Sequence, residues 1–436
     1  MTVKPLWRGR ALAVLGILLC AFSLRSAVAS LSPLLDYITV EFPLPTAVIG
    51  LIGTAPPVCF AIFGLATPGL ERRLGLERVT VIALSAIALG LVLRGFSMGS
   101  VSLLATTALI FAGVGMGNIL VPPLVKKYFP DRLGMMLTLY TTAMSLSTFL
   151  PPLVAVPLAD AAGWRMSLGL WGVFAIAGVL PWIIMLVTGR TNAVVETRPV
   201  AVQKPSEATG AHAVTDPAEL STGPIVTAPR NSRTFARLVR LPLAWSIAVV
   251  FSTSSIMAYT SFAWLPSIVS EIDGVSATAA GLLLSLFAIM SLPASLLVPV
   301  LVVRFQATRP LYVVALLCGL VGVTGLLFWS NTVTVWLWTG LFGIVGVMFP
   351  LALVLISIRS RTPESAVALS SFVQGAGYII AAAFPLLVGV LHEISGSWTL
   401  PLLVIGGVLV VTIPFGIIAG RRRTVEEEWE RRHGRW

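Results

Sequence analysis

The stretch LRSAVASLSPLL, residues 24–35, places one arginine, Arg25, inside an apolar run that begins at Ala11. A run of about 20 apolar residues is long enough to cross a bilayer as a helix. A guanidinium within such a helix costs roughly 2.5–3.5 kcal/mol or more, so something must compensate its charge. The stretch therefore predicts a membrane protein whose first spanning helix carries a cation that needs a counter-charge.

The chain offers Arg25 no acidic partner. All 18 Asp and Glu residues fall in turns between apolar runs, in a polar middle segment or in the tail. Asp36 shares a helical face with Arg25, but their separation is about 16 Å along a helix, too far for an ion pair. The missing anion indicates that a bound solute supplies the counter-charge. The alternative is that Arg25 snorkels to the interface or bonds carbonyls near Pro33.

Composition excludes a soluble domain, because 57% of the residues are hydrophobic and 11% are charged. These values are typical of a helical membrane protein. The net charge of +11 comes from short basic clusters between apolar runs, which membrane topology requires, so it does not indicate nucleic-acid binding. Cys20, Cys59 and Cys318 lack CxxC spacing, and the three histidines form no ligand cluster. No metal or cofactor is expected.

Apolar windows of about 20 residues predict an all-α membrane protein with twelve spans. The first six are Ala11–Leu35, Thr46–Leu65, Val79–Met98, Leu103–Val125, Leu133–Leu158 and Leu168–Val187. The second six are Leu243–Val269, Gly281–Val303, Leu311–Phe328, Val335–Ile356, Ala366–Leu391 and Leu400–Gly420. The N-terminal run is too long for a signal peptide, so we interpret it as an uncleaved first span.

The basic residues predict the orientation. Every Lys and Arg except Arg25, Arg94 and Arg165 falls on one side of the predicted spans. The positive-inside rule then makes both termini cytoplasmic in a multi-pass inner-membrane protein. The predicted domains are an N-terminal bundle (1–188), a flexible polar cytoplasmic linker (189–240), a C-terminal bundle (241–420) and a charged cytoplasmic tail (421–436).

The two halves resemble each other. Four residue pairs recur at offsets of 233 or 234 positions: Pro33 with Pro266, Pro130 with Pro363, Pro152 with Pro385, and Trp164 with Trp398. A near-constant offset at widely spaced sites predicts two parallel six-helix repeats. This is the architecture of the major facilitator superfamily, in which the halves rock around a site near the bilayer midplane.

Several motifs resemble the cyanate/2-nitroimidazole porter family of that superfamily. They are residues 24–35, GNILVP at 117–122, KYFP at 127–130, YTT at 140–142, GWR at 163–165, WLPSI at 264–268, QGAGY at 374–378 and GSW at 396–398. The resemblance covers nearly the whole membrane part. It implies alternating-access transport of a small anionic or planar polar solute by a protein that works as a monomer.

The loop after the second span resembles the superfamily's gate motif with one departure. It reads ERRLGLER at residues 71–78, with the acid one place early. The resemblance implies that Glu71, Arg72 and Arg73 form a cytoplasmic gate. The Gly-Pro-rich motif of drug–proton antiporters is absent from the fifth span, where SLST stands at 145–148.

Polar side chains in otherwise apolar helices are the predicted solute-binding residues. They are Arg25, Asn118, Tyr140, Tyr259, Gln374 and Tyr378. Tyr140 and Gln374 are repeat mates, 234 positions apart, and would face each other across a central cavity. The Asn118 amide can bond a solute or a neighbouring helix. Tyr259 can stack on a planar solute or serve helix packing. Trp264 is interpreted as an interface anchor.

Three functions compete. A secondary or facilitative transporter of a small anion or planar polar molecule fits Arg25 best. A proton-coupled multidrug exporter of cations would need an acid within a span, and the sequence has none. An intramembrane enzyme is disfavoured because the spans hold no His, Asp or Glu cluster. The sequence leaves the substrate, the direction of flux and the energy coupling open.

Overall fold

The computed structural model describes residues 10–129, 132–188, 232–434 and 436, and every regular element in these ranges is helical. Twelve of the helical segments are long and apolar enough to cross a membrane. The predicted all-α fold with twelve spans is therefore confirmed.

The first half contains six spans. Its helices are α1 (Ala11–Ala29), α2 (Leu35–Thr39), α3 (Thr46–Leu74), α4 (Leu76–Gly95), α5 (Ser100–Tyr128), α6 (Leu133–Ala162), α7 (Trp164–Gly169) and α8 (Gly172–Val187). The short helix α2 lies outside the spans, and α7 with α8 forms the sixth.

The second half repeats this plan. Its helices are α9 (Ser232–Leu238), α10 (Pro242–Asp273), α11 (Ala277–Ile289), α12 (Ser291–Phe305), α13 (Thr308–Phe328), α14 (Val335–Gly343), α15 (Met348–Ile358), α16 (Pro363–Ser395), α17 (Thr399–Ala419) and α18 (Val425–His433). Helices α11 with α12, and α14 with α15, each form one span, while α9 and α18 lie outside the spans.

The first span is shorter than the sequence predicts. Helix α1 ends at Ala29, and a single 3-10 turn at Ser32–Leu34 separates it from α2. Pro33 has no N–H and cannot bond the carbonyl of Ala29, so the helical ladder stops there. The repeat mate Pro266 lies inside the unbroken α10. The two halves therefore differ just after Arg25: the helix of the first half ends there, whereas the matching helix of the second half continues.

We call the end of the bundle that holds Trp164 and Trp398 the tryptophan end. A glycine with positive φ precedes each tryptophan there, Gly163 at +83° and Gly396 at +63°. Glycine adopts this backbone conformation without a steric penalty. Both turns stand at equivalent points of the two repeats.

Each half fastens its tryptophan to a carboxylate. Trp164 Nε1 donates to Glu41 Oε2 at 2.9 Å, and Trp398 Nε1 donates to Glu271 Oε2 at 2.8 Å. Arg165 also pairs with Glu41 and lowers the pKa of that carboxyl by hydrogen bonding. The Arg165 guanidinium also lies over the Trp164 ring, 4.4 Å from its centroid. In the second half His392 takes the equivalent place and lies flat against the Trp398 ring, with centroids 3.8 Å apart.

The halves meet closely toward the tryptophan end. A Cβ added at Gly53 of α3 would lie 2.7 Å from Ala263 Cβ and 2.8 Å from Pro385 Cβ. A Cβ added at Gly281 of α11 would lie 2.7 Å from the Pro152 carbonyl oxygen. Since Pro152 and Pro385 are repeat mates, a glycine from each half packs on the equivalent proline of the other half.

The opposite end, where Arg73, Lys127 and Arg421 lie, is called the basic end. The Glu77 carboxylate is buried there and accepts bonds from Lys127 Nζ at 2.5 Å and Tyr128 Oη at 2.7 Å. This cluster ties the start of α4 to the end of α5.

The predicted linker and tail are partly structured. Residues 189–231 lie outside the described residues, but Ser232–Leu238, predicted as flexible, forms α9. In the tail, Thr424 caps α18 and forms a capping box with Glu427. Glu426 is buried and accepts bonds from the Arg361 N–H at 2.9 Å and from the Ser365 hydroxyl. The tail is therefore docked on the second half.

Candidate functional site

A cavity of about 260 Å³ lies between the two halves. Its walls come from α1, α5 and α6 of the first half and from α10, α11, α12, α14, α15, α16 and the 3-10 turn after α14 in the second. All six side chains predicted to bind solute contribute to it: Arg25, Asn118, Tyr140, Tyr259, Gln374 and Tyr378. The fold thus brings together residues that are up to 353 positions apart.

Arg25 lies in the last turns of α1, and its guanidinium interacts with the Tyr259 hydroxyl of α10. Tyr259 interacts in turn with the hydroxyl of Tyr378 on α16. Two phenols and one cation therefore form a continuous polar strip across the halves. Hydroxyls leave the guanidinium charge uncompensated, since they supply dipoles but no negative charge.

Among the described residues, the cavity wall contains no acidic side chain and no histidine, and none of the described carboxylates forms an ion pair with Arg25. Arg25 is half-buried, with part of its surface on the cavity. The site is thus a cationic chamber within a low-dielectric protein. Such a chamber favours a negatively charged or strongly electron-rich solute.

The remaining polar groups surround this strip. Gln374 is buried and donates from Nε2 to Ser370 Oγ at 2.8 Å. Ser254 and Ser255 of α10 supply further hydroxyls to the wall. Hydroxyls and side-chain amides act as donor and acceptor together, so they can orient a polar solute whichever way its dipole points.

Sequence reasoning missed most of the apolar wall. Phe287, Phe349 and Met144 line the cavity. In spans that are apolar on every face, a phenylalanine that faces a cavity and one that faces lipid look the same. Phe262 also lines the cavity, three residues after Tyr259 on the same face of α10.

Beyond Arg25 toward the tryptophan end, the described residues of the two halves pack closely. A pocket of about 20 Å³ lies there, between Leu31, Ile52 and Phe262. The Ser32 hydroxyl donates to the Ala263 carbonyl at 3.0 Å and links the halves there. Trp264, interpreted from sequence as an interface anchor, is instead buried and donates to the Pro385 carbonyl at 2.7 Å.

The predicted gate residues Glu71, Arg72 and Arg73 lie in the last turns of α3 at the basic end. Glu71 is half-buried and Arg73 is exposed, while the side chain of Arg72 lies outside the described part of the structure. Their role in gating stays a prediction.

The sequence sets Arg94 apart from the basic clusters but does not predict that it is buried. It belongs to the last turn of α4 and has no exposed surface. It lies one residue before the helix ends at Gly95, so the sequence carried no sign that its side chain points inward.

Comparisons with known proteins agree with this geometry. The family model described as Major Facilitator Superfamily matches residues 17–382. The chain is 31% identical to the 2-nitroimidazole transporter of Escherichia coli (strain K12) over 423 residues, covering 96% of this chain and 98% of that protein. It is 27% identical to the cyanate transport protein CynX of the same organism over 420 residues, covering 95% and 100%.

Among solved structures, the fold is similar to a bacterial homologue of the human lysosomal transporter Spinster. The TM-score is 0.65 at 14% identity, and the match covers 96% of this chain and 98% of that one. Identity this low shows the fold alone. Together with the twelve spans and the central cavity, the family match is decisive: the chain belongs to the major facilitator superfamily and is a multi-pass membrane transporter of small solutes, not an enzyme.

Proposed function

We propose that this transporter carries a small anionic or planar polar solute across the inner membrane by alternating access, acting as a monomer, with Arg25 as the principal binding group. The observation that carries the proposal is the Arg25 guanidinium on a cavity whose described wall residues include no carboxylate. A guanidinium donates two parallel hydrogen bonds to a planar anion, and a buried one binds most strongly when the anion completes its charge balance.

The rest of the wall fits a planar solute. Phe262 and Phe349 line the cavity together with the rings of Tyr259 and Tyr378, whose hydroxyls belong to the strip. Aromatic side chains contribute roughly 0.5–1.5 kcal/mol to stacked or edge-on contacts beyond their buried area. Two relatives are named for cyanate and 2-nitroimidazole, a linear anion and a planar ring, and both shapes fit a cavity of about 260 Å³.

The conformation corresponds to an inward-facing state if the basic end is cytoplasmic. The positive-inside rule favours that orientation. The glycine–proline contacts and the Ser32 bond close the tryptophan end. Solute would then enter or leave through the basic end, past Glu71, Arg72 and Arg73, which act as the gate. This orientation is tested with Arg421→Cys. An impermeant thiol reagent should label that cysteine in permeabilised cells but not in intact cells.

A multidrug exporter of lipophilic cations receives no support from the cavity, because the charged side chain among its described wall residues is the cation Arg25. Bringing a second cation beside Arg25 would add repulsion in a medium of low dielectric. The described wall also offers no carboxylate or imidazole that could carry a coupling proton.

The test uses purified protein and a thermal-shift screen with cyanate, benzoate and 2-nitroimidazole, since a ligand stabilises by RT ln(1 + [L]/Kd). We expect at least one anion to stabilise the protein and Arg25→Ala to abolish that stabilisation. Arg25→Lys should weaken it, because lysine keeps the charge but loses the planar fork.

Arg421→Ala is the matched control, since it removes an exposed arginine at the basic end, far from the cavity wall. Its ligand response should equal that of the wild type. If none of the three solutes stabilises the wild type, or if Arg25→Ala binds the stabilising solute as well as the wild type does, the proposed function fails. A fall in the stability of ligand-free Arg25→Ala would instead assign Arg25 a structural role.

A further inference from the structure

Arg94 is a second buried arginine without a described acidic partner. Its Nη2 donates to Thr107 Oγ1 of α5 at 2.9 Å, and its Nη1 donates to the Ala27 carbonyl of α1 at 3.4 Å. Its Nε has no hydrogen-bond partner. No described carboxylate forms an ion pair with it. Removing such a charge from water is expensive, so its presence requires an explanation.

The neighbouring charged residue Arg165 does not compensate the charge of Arg94. Arg165 bonds the Ser97 carbonyl, three residues beyond Arg94, but its own charge is neutralised by Glu41. What faces Arg94 is the C-terminal turn of α1, where Ala27 lies two residues before the helix ends at Ala29. The carbonyls of a last helical turn carry partial negative charge, about half an elementary charge in all, so they offset part of the cation.

The position of this contact matters because Ala27 is two residues after Arg25. Helix α1 breaks immediately beyond, so its end is not held by a continuing ladder. Arg94 links that end to α4, to which it belongs, and to α5 through Thr107. Helix α5 also carries Asn118 of the cavity wall. The contact therefore fixes the segment that presents Arg25 against the rest of the first half.

We propose that Arg94 is a positioning residue for the anion site, which holds the end of α1 and adds positive potential to the cavity from behind that helix. This inference rests on the proposed function. Arg94 does not line the cavity, so it acts without touching the solute. Its contact two residues from Arg25 places the two charges on the order of 10 Å apart by helix geometry. At an effective dielectric constant of about 20, a charge at that distance changes the affinity for a monovalent anion roughly tenfold.

The test compares a negatively charged ligand with an uncharged planar ligand. Benzoate, or cyanate if it is the anion that binds in the screen above, serves as the anion, and benzamide as the neutral planar ligand. Arg94→Gln should lower the affinity for the anion roughly tenfold and leave that for benzamide unchanged. Arg94→Lys should retain most of the anion affinity. A structural role alone would change both affinities together.

A second variant covers the case in which Arg94→Gln does not fold. Thr107→Val removes the 2.9 Å bond but keeps the charge. It should lower anion affinity in the wild-type background and have no effect on benzamide. If binding of the anion and of benzamide changes equally in these variants, or not at all, while Arg25→Ala still abolishes anion binding, the inference about Arg94 is wrong and the proposed function stands. If Arg25→Ala binds normally, the proposed function itself fails.

Discussion

The contact of Gly53 with the second half predicts how the transport equilibrium can be moved. Replacing Gly53 by alanine adds one methyl group that would lie 2.7 Å from Ala263 Cβ and 2.8 Å from Pro385 Cβ. Carbon atoms prefer separations of about 3.5–4.0 Å, so the two halves must separate or shift. Because this contact joins the halves, the strain falls on the closed tryptophan end and not on the folding of either half.

The size of the effect follows from the cost of overpacking, typically about 1–3 kcal/mol. Each 1.4 kcal/mol is a factor of ten in an equilibrium constant. Gly53→Ala should therefore shift the balance about 5- to 150-fold away from the conformation described here. Gly281→Ala, which meets the Pro152 carbonyl at 2.7 Å, should act in the same direction.

The assay measures access to the seal. In a variant without native cysteines, Leu31→Cys reports opening of the tryptophan end, because Leu31 is 4% exposed and lines the small sealed pocket. Gly53→Ala should increase its labelling rate by an impermeant maleimide added at that end. Gly69→Ala is the control on the same helix, since a Cβ there meets no atom within 4 Å. Equal labelling in the two alanine variants would refute the reasoning.

Two further predictions concern the basic end. Glu77→Gln should lower the thermal stability of the purified protein by about 1–3 kcal/mol, because the buried carboxylate bonds both Lys127 and Tyr128; unchanged melting would show that the cluster is not stabilising. Hydrogen bonding from Arg361 lowers the pKa of Glu427 from its ordinary 4.5. The pair therefore stabilises tail docking above that value and loses its effect as the pH falls below it; a spin label on α18 should gain mobility in acid but not between pH 5 and 8, and equal mobility throughout would contradict this.

The spans and the polar members of the cavity were accessible from sequence. A polar residue in an apolar helix is costly unless it faces protein or a cavity, so Arg25, Asn118 and Gln374 stood out against their surroundings. The repeat offset then related positions in one half to positions in the other. All three side chains lie on the cavity wall.

The apolar cavity wall, the burial of Arg94 and the glycine contacts between the halves became evident only from the structure. Phe287 and Phe349 could not be told from lipid-facing residues, since every face of their spans is apolar. Arg94 lies too near a turn for its burial to show in the pattern. Gly53 and Gly281 are two of 38 glycines, and only the packed halves reveal which ones lie against a proline. Helix α18 and its docking were not predicted; Thr424 and Glu427 have the spacing of a capping box, which indicates where a helix begins but not what it packs against.

The docked tail has a consequence for biogenesis. Synthesis proceeds from the N-terminus, and domains form in that order, so α18 is made after all twelve spans. The bonds from the Arg361 N–H and Ser365 to Glu426, and from the Val425 N–H to the Arg359 carbonyl, can then form only when the chain is complete. On a chain that stops short of the tail, Arg361 lacks the carboxylates of Glu427 and Glu430 that pair with it in the finished protein. A truncated product would insert into the membrane yet carry this arginine without its ion pairs, which gives quality control a physical feature by which to distinguish the two.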